Sequence, residues 1–143
     1  MNDRYLYKAK QKNWKELPKD EWWVIGNLII ERNLNDEIKY RICPLDYAQA
    51  FASEIDPSTI CQCTGLTDKN GKKIWENDIV YIRGNGLSGK GVIAYENGCF
   101  VLKDKKRQRT YSLFGNWKFR VDGNIFDNPE LLEGGHETGK HGD

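Results

Sequence analysis

Residues 60–82, ICQCTGLTDKNGKKIWENDIVYI, hold the stretch that decides the fold. Asn70-Gly71 stands between two segments of β character. That pair is the strongest short hairpin signal, because both central residues of a type I′ turn need positive φ. Asp78 then leads into Ile79 and Val80, where β-branched residues begin a strand. Leu66, Ile74, Trp75 and Ile79 supply apolar side chains within this short space. Turn chemistry and apolar clusters so closely interleaved describe a compact β unit.

Working outward, the same pattern repeats. Tyr5, Tyr7 and Ala9 alternate with charged residues and read as a first strand, and residues 18–20 (Pro-Lys-Asp) read as a turn. Residues 22–30 are rich in β-branched and aromatic side chains. Ile38, Tyr40 and Ile42 alternate behind the turn residues Asn33, Asn35 and Asp36, so this pair forms an N-terminal β-hairpin. Residues 45–54 carry Leu45, Ala48 and Phe51 at three-residue spacing behind Pro44, which predicts a short helix ended by Asp56-Pro57. Downstream, Gly84, Gly86, Gly89 and Gly91 read as a flexible loop. Residues 91–95 and 99–102 form a hairpin about Asn97-Gly98, and residues 111–114 and 117–121 close the β series. Asn128-Pro129-Glu130 predicts a second short helix, with Asn as N-cap and Pro at its first position. Short strands at this spacing, with few helices between them, point to a mainly β protein: a small SH3-like barrel or a sandwich of antiparallel strands. The expected organisation is an N-terminal strand, hairpin and helix over residues 1–55, a β-barrel region over 56–133, and a disordered polar tail over 134–143.

Composition narrows the function classes. The chain has 143 residues, 30% charged and 12% aromatic, with a mean hydropathy of -0.74. That aromatic content suits a folded core in a small domain. Lys and Arg number 22 against 21 Asp and Glu, a net charge of +1, so any attraction to a polyanion must come from a local patch. No apolar run reaches the roughly 20 residues of a membrane helix, and no signal peptide is evident. The expectation is a cytoplasmic protein of a bacterial host, with Cys43, Cys61, Cys63 and Cys99 as reduced thiols.

Two blocks carry a family resemblance. The first comprises Gln62, Thr64-Gly65-Leu66, Asp68-Lys69-Asn70-Gly71-Lys72, Ile74, Glu76 and Asp78-Ile79-Val80. The second is Gly123-Asn124-Ile125-Phe126-Asp127-Asn128-Pro129-Glu130-Leu131-Leu132. Gly91-Val92 and Asn97-Gly98 with Phe100 lie between them. Over residues 56–133 the chain resembles the YopX family, and residues 23–26 fit it more loosely. Cys63 stands where the family commonly has an aromatic residue. Asn77 stands where the family usually has Gly, and Asn is the non-Gly residue that best tolerates the left-handed region. The resemblance implies a mostly β protein associated with phages and prophages, of unknown biochemical activity. It brings no catalytic residues with it.

The remaining motifs divide between chemistry and structure. Cys61 and Cys63 with two distant cysteines offer only one close pair, short of the two clusters that structural zinc uses, and a strand would turn both inward as small hydrophobes. A nucleophilic Cys needs a His partner, and His136 and His141 fall in the expected tail. Glu37-Ile38-Lys39 with Asp20 has the form of a Mg²⁺-dependent nuclease set, but so short a motif recurs by chance in a charged chain, and a solvated strand edge is the ordinary reading. Residues 83–91 lack the Gly-Lys-Ser/Thr order of a phosphate loop. The basic run of Lys103, Lys105, Lys106, Arg107 and Arg109, with Trp117 nearby, is the one feature with partner potential. Small β-barrels bind single strands by stacking bases beside a positive groove. The sequence therefore favours a non-enzymatic accessory module without cofactor or metal, acting on a protein partner or on itself. A single-strand nucleic-acid binder is the alternative, and a Mg²⁺-dependent nuclease the weaker one.

Overall fold

Alternation of apolar and polar residues sets out eleven strands in the computed structural model, which describes residues 3–45 and 52–133. The chain divides into two units, Met1–Gly65 and Leu66–Asp143.

In the first unit, β1 (Tyr7–Lys10), β2 (Trp23–Arg32), β3 (Ile38–Cys43), β4 (Ser53–Glu54) and β5 (Cys61–Thr67) lie in the order β4-β3-β2-β1-β5. Neighbours in this order run antiparallel. Ala9, Ile42 and Ile55 are the buried centre, and Tyr7, Val24, Leu28, Tyr40 and Ile60 pack against them. The expected hairpin forms, with Leu28 opposite Ile42 and Arg32 opposite Ile38. The helix expected over residues 45–54 falls largely outside the described residues; its last two, Ser53 and Glu54, form β4 instead. Asp56 ends no helix but starts a 3₁₀ turn, Pro57–Thr59, its carboxylate accepting from the Ser58 N–H.

β5 carries the chain across Gly65 into the second unit, where β6 (Lys73–Trp75) succeeds it in the ladder. The Asn70-Gly71 hairpin exists, but not as a type I′ turn. The Gly71 N–H donates to Asp68 O, the Asp68 N–H donates to Lys72 O, and only Gly71 has positive φ, at 81°. This is the longer loop in which a turn is followed by a left-handed glycine bulge. β7 (Asp78–Gly84), β8 (Leu87–Glu96), β9 (Cys99–Asp104), β10 (Arg109–Ser112) and β11 (Lys118–Asn124) then form an antiparallel sheet in the order β10-β9-β8-β7-β11. Its inner face buries Val80, Ile82, Ile93, Phe100, Leu102 and Tyr111.

The glycine-rich stretch is ordered strand, not loop. Asn85 and Gly86 have φ of 50° and 78° between paired Gly84 and Leu87, the two left-handed residues of a type I′ turn. Asn97 and Gly98 repeat that turn between Glu96 and Cys99. Gly89 lies beneath the Tyr111 ring, which an added Cβ would crowd at 3.1 Å, and a Cβ on Gly91 would stand 2.2 Å from Lys103 O, so packing favours glycine at 89 and demands it at 91 inside β8.

The barrel expectation is overturned: both sheets are open, and neither pairs its first strand with its last. β10 and β11 occupy opposite edges of the five-stranded sheet. Four inter-strand gaps of about 4.8 Å make roughly 19 Å. The six residue steps from Ser112 to Lys118 reach about 20 Å, enough to cross that width without closing it. Leu113 and Trp117 on this crossing pack on the core. The expected short helices also give way. Among the described residues the helical pieces are 3₁₀ turns of three or four residues, including Pro129–Leu132. There Asn128 makes no side-chain cap, because its Oδ1 accepts instead from the Asn124 N–H.

Candidate functional site

The basic run splits between a strand, a turn and a strand. Lys103 is in β9 and its ammonium pairs with the Glu96 carboxylate. Lys105 and Lys106 are exposed in the turn to β10, and Arg109 is exposed at the start of β10. The buried Asp104 organises that turn, its carboxylate accepting from the Arg107 N–H at 3.1 Å. The Arg107 guanidinium reaches back over β8 to donate to Ser88 O at 3.1 Å. Trp117 is partly buried and packs against the core cluster. Its ring stands edge-on to Tyr111 at 5.8 Å, and its Nε1–H donates to Ser112 O at 2.9 Å.

A different basic surface lies on the outer face of the same sheet. The register sets Lys118 opposite Arg83 and Arg83 opposite Ser88; in the next row Arg120 faces Tyr81 and Tyr81 faces Lys90. These six residues make two rows of three across β11, β7 and β8. Val80, Ile82, Phe119 and Val121 alternate with them and turn to the opposite face, into the core. The Arg120 guanidinium lies over the Tyr81 ring at 4.8 Å and pairs with Asp122 at 2.8 Å. Lys90 and Lys118 make no ion pair among the described residues. Beside the rows is a groove of about 600 Å³ between the β7–β8 turn and Asn116, lined by Tyr81, Arg83, Asn85, Ser88 and Lys118. Sequence reasoning missed it because its cations are single residues on three strands. The available signal was the alternation Tyr81-x-Arg83 and Lys118-x-Arg120 through apolar neighbours.

Asp20, Glu37 and Lys39 are not brought together. Asp20 lies just before β2 and Glu37 just beyond its far end, and the ten residues of β2 span roughly 33 Å. Glu37 serves the hairpin turn: its Oε1 accepts from Asn33 Nδ2 at 2.7 Å, while Asn33 Oδ1 accepts from the N–H groups of Asn35 and Glu37. Cys61 and Cys63 are buried, as their strand spacing suggests. Among the described residues no three His, Cys, Asp or Glu side chains are grouped to hold a metal.

The β2–β3 hairpin itself presents exposed apolar side chains. Ile30 and Ile38 are on the face that carries Leu28 and Ile42 toward the core, yet they lie past it and are 59% and 42% exposed. Leu34 at the tip is fully exposed. The opposite face is charged, with Glu31 paired to Arg41 at 3.4 Å. β1 covers only residues 23–26 of β2, and on β3 β4 covers Arg41 and Ile42 while the Ile55 N–H donates to Tyr40 O. The outer half of the hairpin is therefore an arm with open edges among the described residues.

Near the base of β2 is an aromatic box that the chain fills itself. The Lys10 ammonium sits 3.9 Å from the centre of the Trp14 ring and 4.3 Å from that of Trp22, and only 2% of the residue is exposed.

The model of the YopX protein family matches residues 6–133. The crystal structure of protein yopX from Bacillus subtilis superposes with a TM-score of 0.53 at 16% identity, over 91% of this chain and 99% of that one. At that identity the likeness is one of fold. No curated protein matches. Among the described residues no helix is long and apolar enough to cross a membrane.

Proposed function

This chain belongs to the YopX family, and from that premise we propose that it is a non-enzymatic, phage-associated accessory module that associates with itself through the β2–β3 arm. The observation that carries this reading is the exposed apolar row of Ile30, Leu34 and Ile38 on a hairpin with open edges. Contiguous exposed apolar side chains mark interaction surfaces, and an unpaired strand edge is a template for another strand. A second copy always brings both a matching edge and a matching apolar row. Backbone pairing then supplies the affinity, and the side chains the register. Asp20 and Glu37 stand at opposite ends of β2, so the carboxylate set considered for hydrolysis lends no support to an enzymatic reading.

Sedimentation equilibrium of the full chain tests the reading. The average mass should rise above the 16.6 kDa of one chain as concentration increases. Ile30→Lys/Ile38→Lys alters exposed positions only and should hold the protein at one chain. A wild type that stays at one chain throughout, or a double variant that still associates, sinks the proposal.

A further inference from the structure

We propose that the outer face of the second unit, beside the β7–β8 turn, binds single-stranded nucleic acid along its phosphate backbone. The proposal uses none of the arm's residues and does not depend on self-association.

The two rows across β11, β7 and β8 carry Lys118, Arg83 and Lys90, with Arg120 paired to Asp122 and with Tyr81 and Ser88 completing them. Neighbouring strands are about 4.8 Å apart and successive same-face residues along a strand about 7 Å apart. Charge is thus spread over about 10 Å across the strands and about 7 Å along them, an array suited to successive phosphates along a chain more than to one small anion. Arg107, whose Nε stands 4.0 Å from the Asp104 carboxylate, crosses to Ser88 O at the rim of the groove. The register brings Glu96 to this face, and Asp122 turns onto it from the β11 bulge; Lys103 and Arg120 already hold these two acids. The face is positive although the whole chain carries only +1.

Tyr81 and the guanidinium lying on it put planar groups amid the cations. Bases stack on aromatic rings and on Arg planes, and a single strand leaves its bases free to do so. A duplex offers no such faces, so the mixture of planar and cationic groups selects the single strand. The array stands on strands whose opposite side is the packed core, which fixes its spacing without a ligand.

Fluorescence anisotropy with a fluorescein-labelled oligo(dT) of about 15 nucleotides, within the length scale of such sites, tests the proposal on the full chain. Wild-type protein should bind at low salt with a Kd on the order of 10 µM, weakening steeply as salt rises. Arg83→Glu/Lys118→Glu should weaken binding about tenfold or more and reduce the salt slope by about 1.4, roughly 0.7 for each phosphate of a single strand no longer neutralised. Lys105→Glu/Lys106→Glu makes the same charge change in the neighbouring turn and should cost less than about threefold. Arg83→Gln/Lys118→Gln should follow the Glu pair in direction, which separates removal of the cations from added repulsion. All four positions are exposed, and matched thermal midpoints would show that the fold is kept. Absence of binding at low salt overturns the proposal. Equal losses from the two Glu pairs also overturn it, because net charge alone would then explain the affinity. Binding to phosphatidylserine vesicles without binding to the oligonucleotide would assign the face to membranes and reject the nucleic acid.

Discussion

At the residue scale, two side chains show how a position can be set by backbone and by packing. Asn77 has a φ of 73°, donates its N–H to Ile93 O at 2.8 Å and accepts from the Ile125 N–H at 3.1 Å. The backbone of this one residue thus ties the start of β7 to β8 and to the chain beyond β11. A left-handed conformation costs an ordinary L-residue about 1–2 kcal/mol, less for Asn and nothing for Gly. Asn77→Ala should therefore lower stability by about 1–2 kcal/mol in urea unfolding. Asn77→Gly should stay within about 0.5 kcal/mol, since relief at this φ offsets the greater freedom of the unfolded chain. Equal losses in both would mean that the Asn side chain, not the backbone, holds the turn. Lys10 is a packing case, with its stem buried and its ammonium between two indole faces. Lys10→Ala removes both stem and charge and should cost about 3 kcal/mol. Lys10→Met refills the slot with an adaptable side chain and should recover at least half of that. If Met proves as damaging as Ala, the charge dominates and the packing account fails.

At the element scale, glycines in β8 and in its turn separate two kinds of requirement. A Cβ on Gly86 meets nothing within 4 Å, so Gly86→Ala bears only the strain of its φ of 78°, about 1 kcal/mol. A Cβ on Gly91 would stand 2.2 Å from Lys103 O and 2.8 Å from Leu102 Cδ2. Gly91→Ala must therefore push β8 from β9 and should cost more than about 3 kcal/mol, read as a far lower thermal midpoint or an insoluble product. Comparable losses in the two variants would remove the distinction. The same elements show what a sequence makes legible. Local chemistry was readable: Asn97-Gly98 marks a type I′ turn, the alternation of Ile38, Tyr40 and Ile42 marks a strand, and a Gly-type position at residue 77 marks positive φ. Reading the glycines of residues 84–91 as looseness failed, because what favours glycine at 89 and demands it at 91 comes from Tyr111 and Lys103, remote in sequence. Closure failed for a similar reason. Which strand lies at which edge is decided by long-range pairing, and nothing in residues 113–117 announces that they cross an open sheet. The basic face was hidden likewise, since Lys118, Arg83 and Lys90 become neighbours only through register.

At the scale of the whole molecule, each unit contains a turn-organising carboxylate held below its ordinary pKa, and together they make stability depend on acid. In the first unit, burial alone would raise the pKa of Asp56. Hydrogen bonds from the Ser58 hydroxyl, the Trp14 indole and the Ser58 N–H, with the nearby charge of Lys15, outweigh burial and hold it below the ordinary carboxylate value. In the second unit, burial likewise opposes ionisation of Asp68. The N–H groups of Val121, Lys72 and Asn70 converge on its two oxygens and, with the Lys72 charge, bring its pKa down. Both groups are thus more acidic folded than unfolded. Their contribution is present in full above the unfolded value near 4 and is lost as pH falls through the lower folded values. The urea midpoint should hold level from pH 7 to about 5 and then decline toward pH 2. Asp68→Asn makes this specific to one site. Two N–H groups meet Oδ1 and one meets Oδ2, so an amide must turn an NH₂ toward at least one donor. The variant should lose about 1–3 kcal/mol at pH 7, where the wild-type carboxylate is charged. It should lose less against wild type at acid pH, where that carboxylate has taken up a proton and must itself present an O–H. Converging stability curves are therefore the expected signature, whereas parallel curves would show that Asp68 supports the β5–β6 turn and β11 by its shape alone.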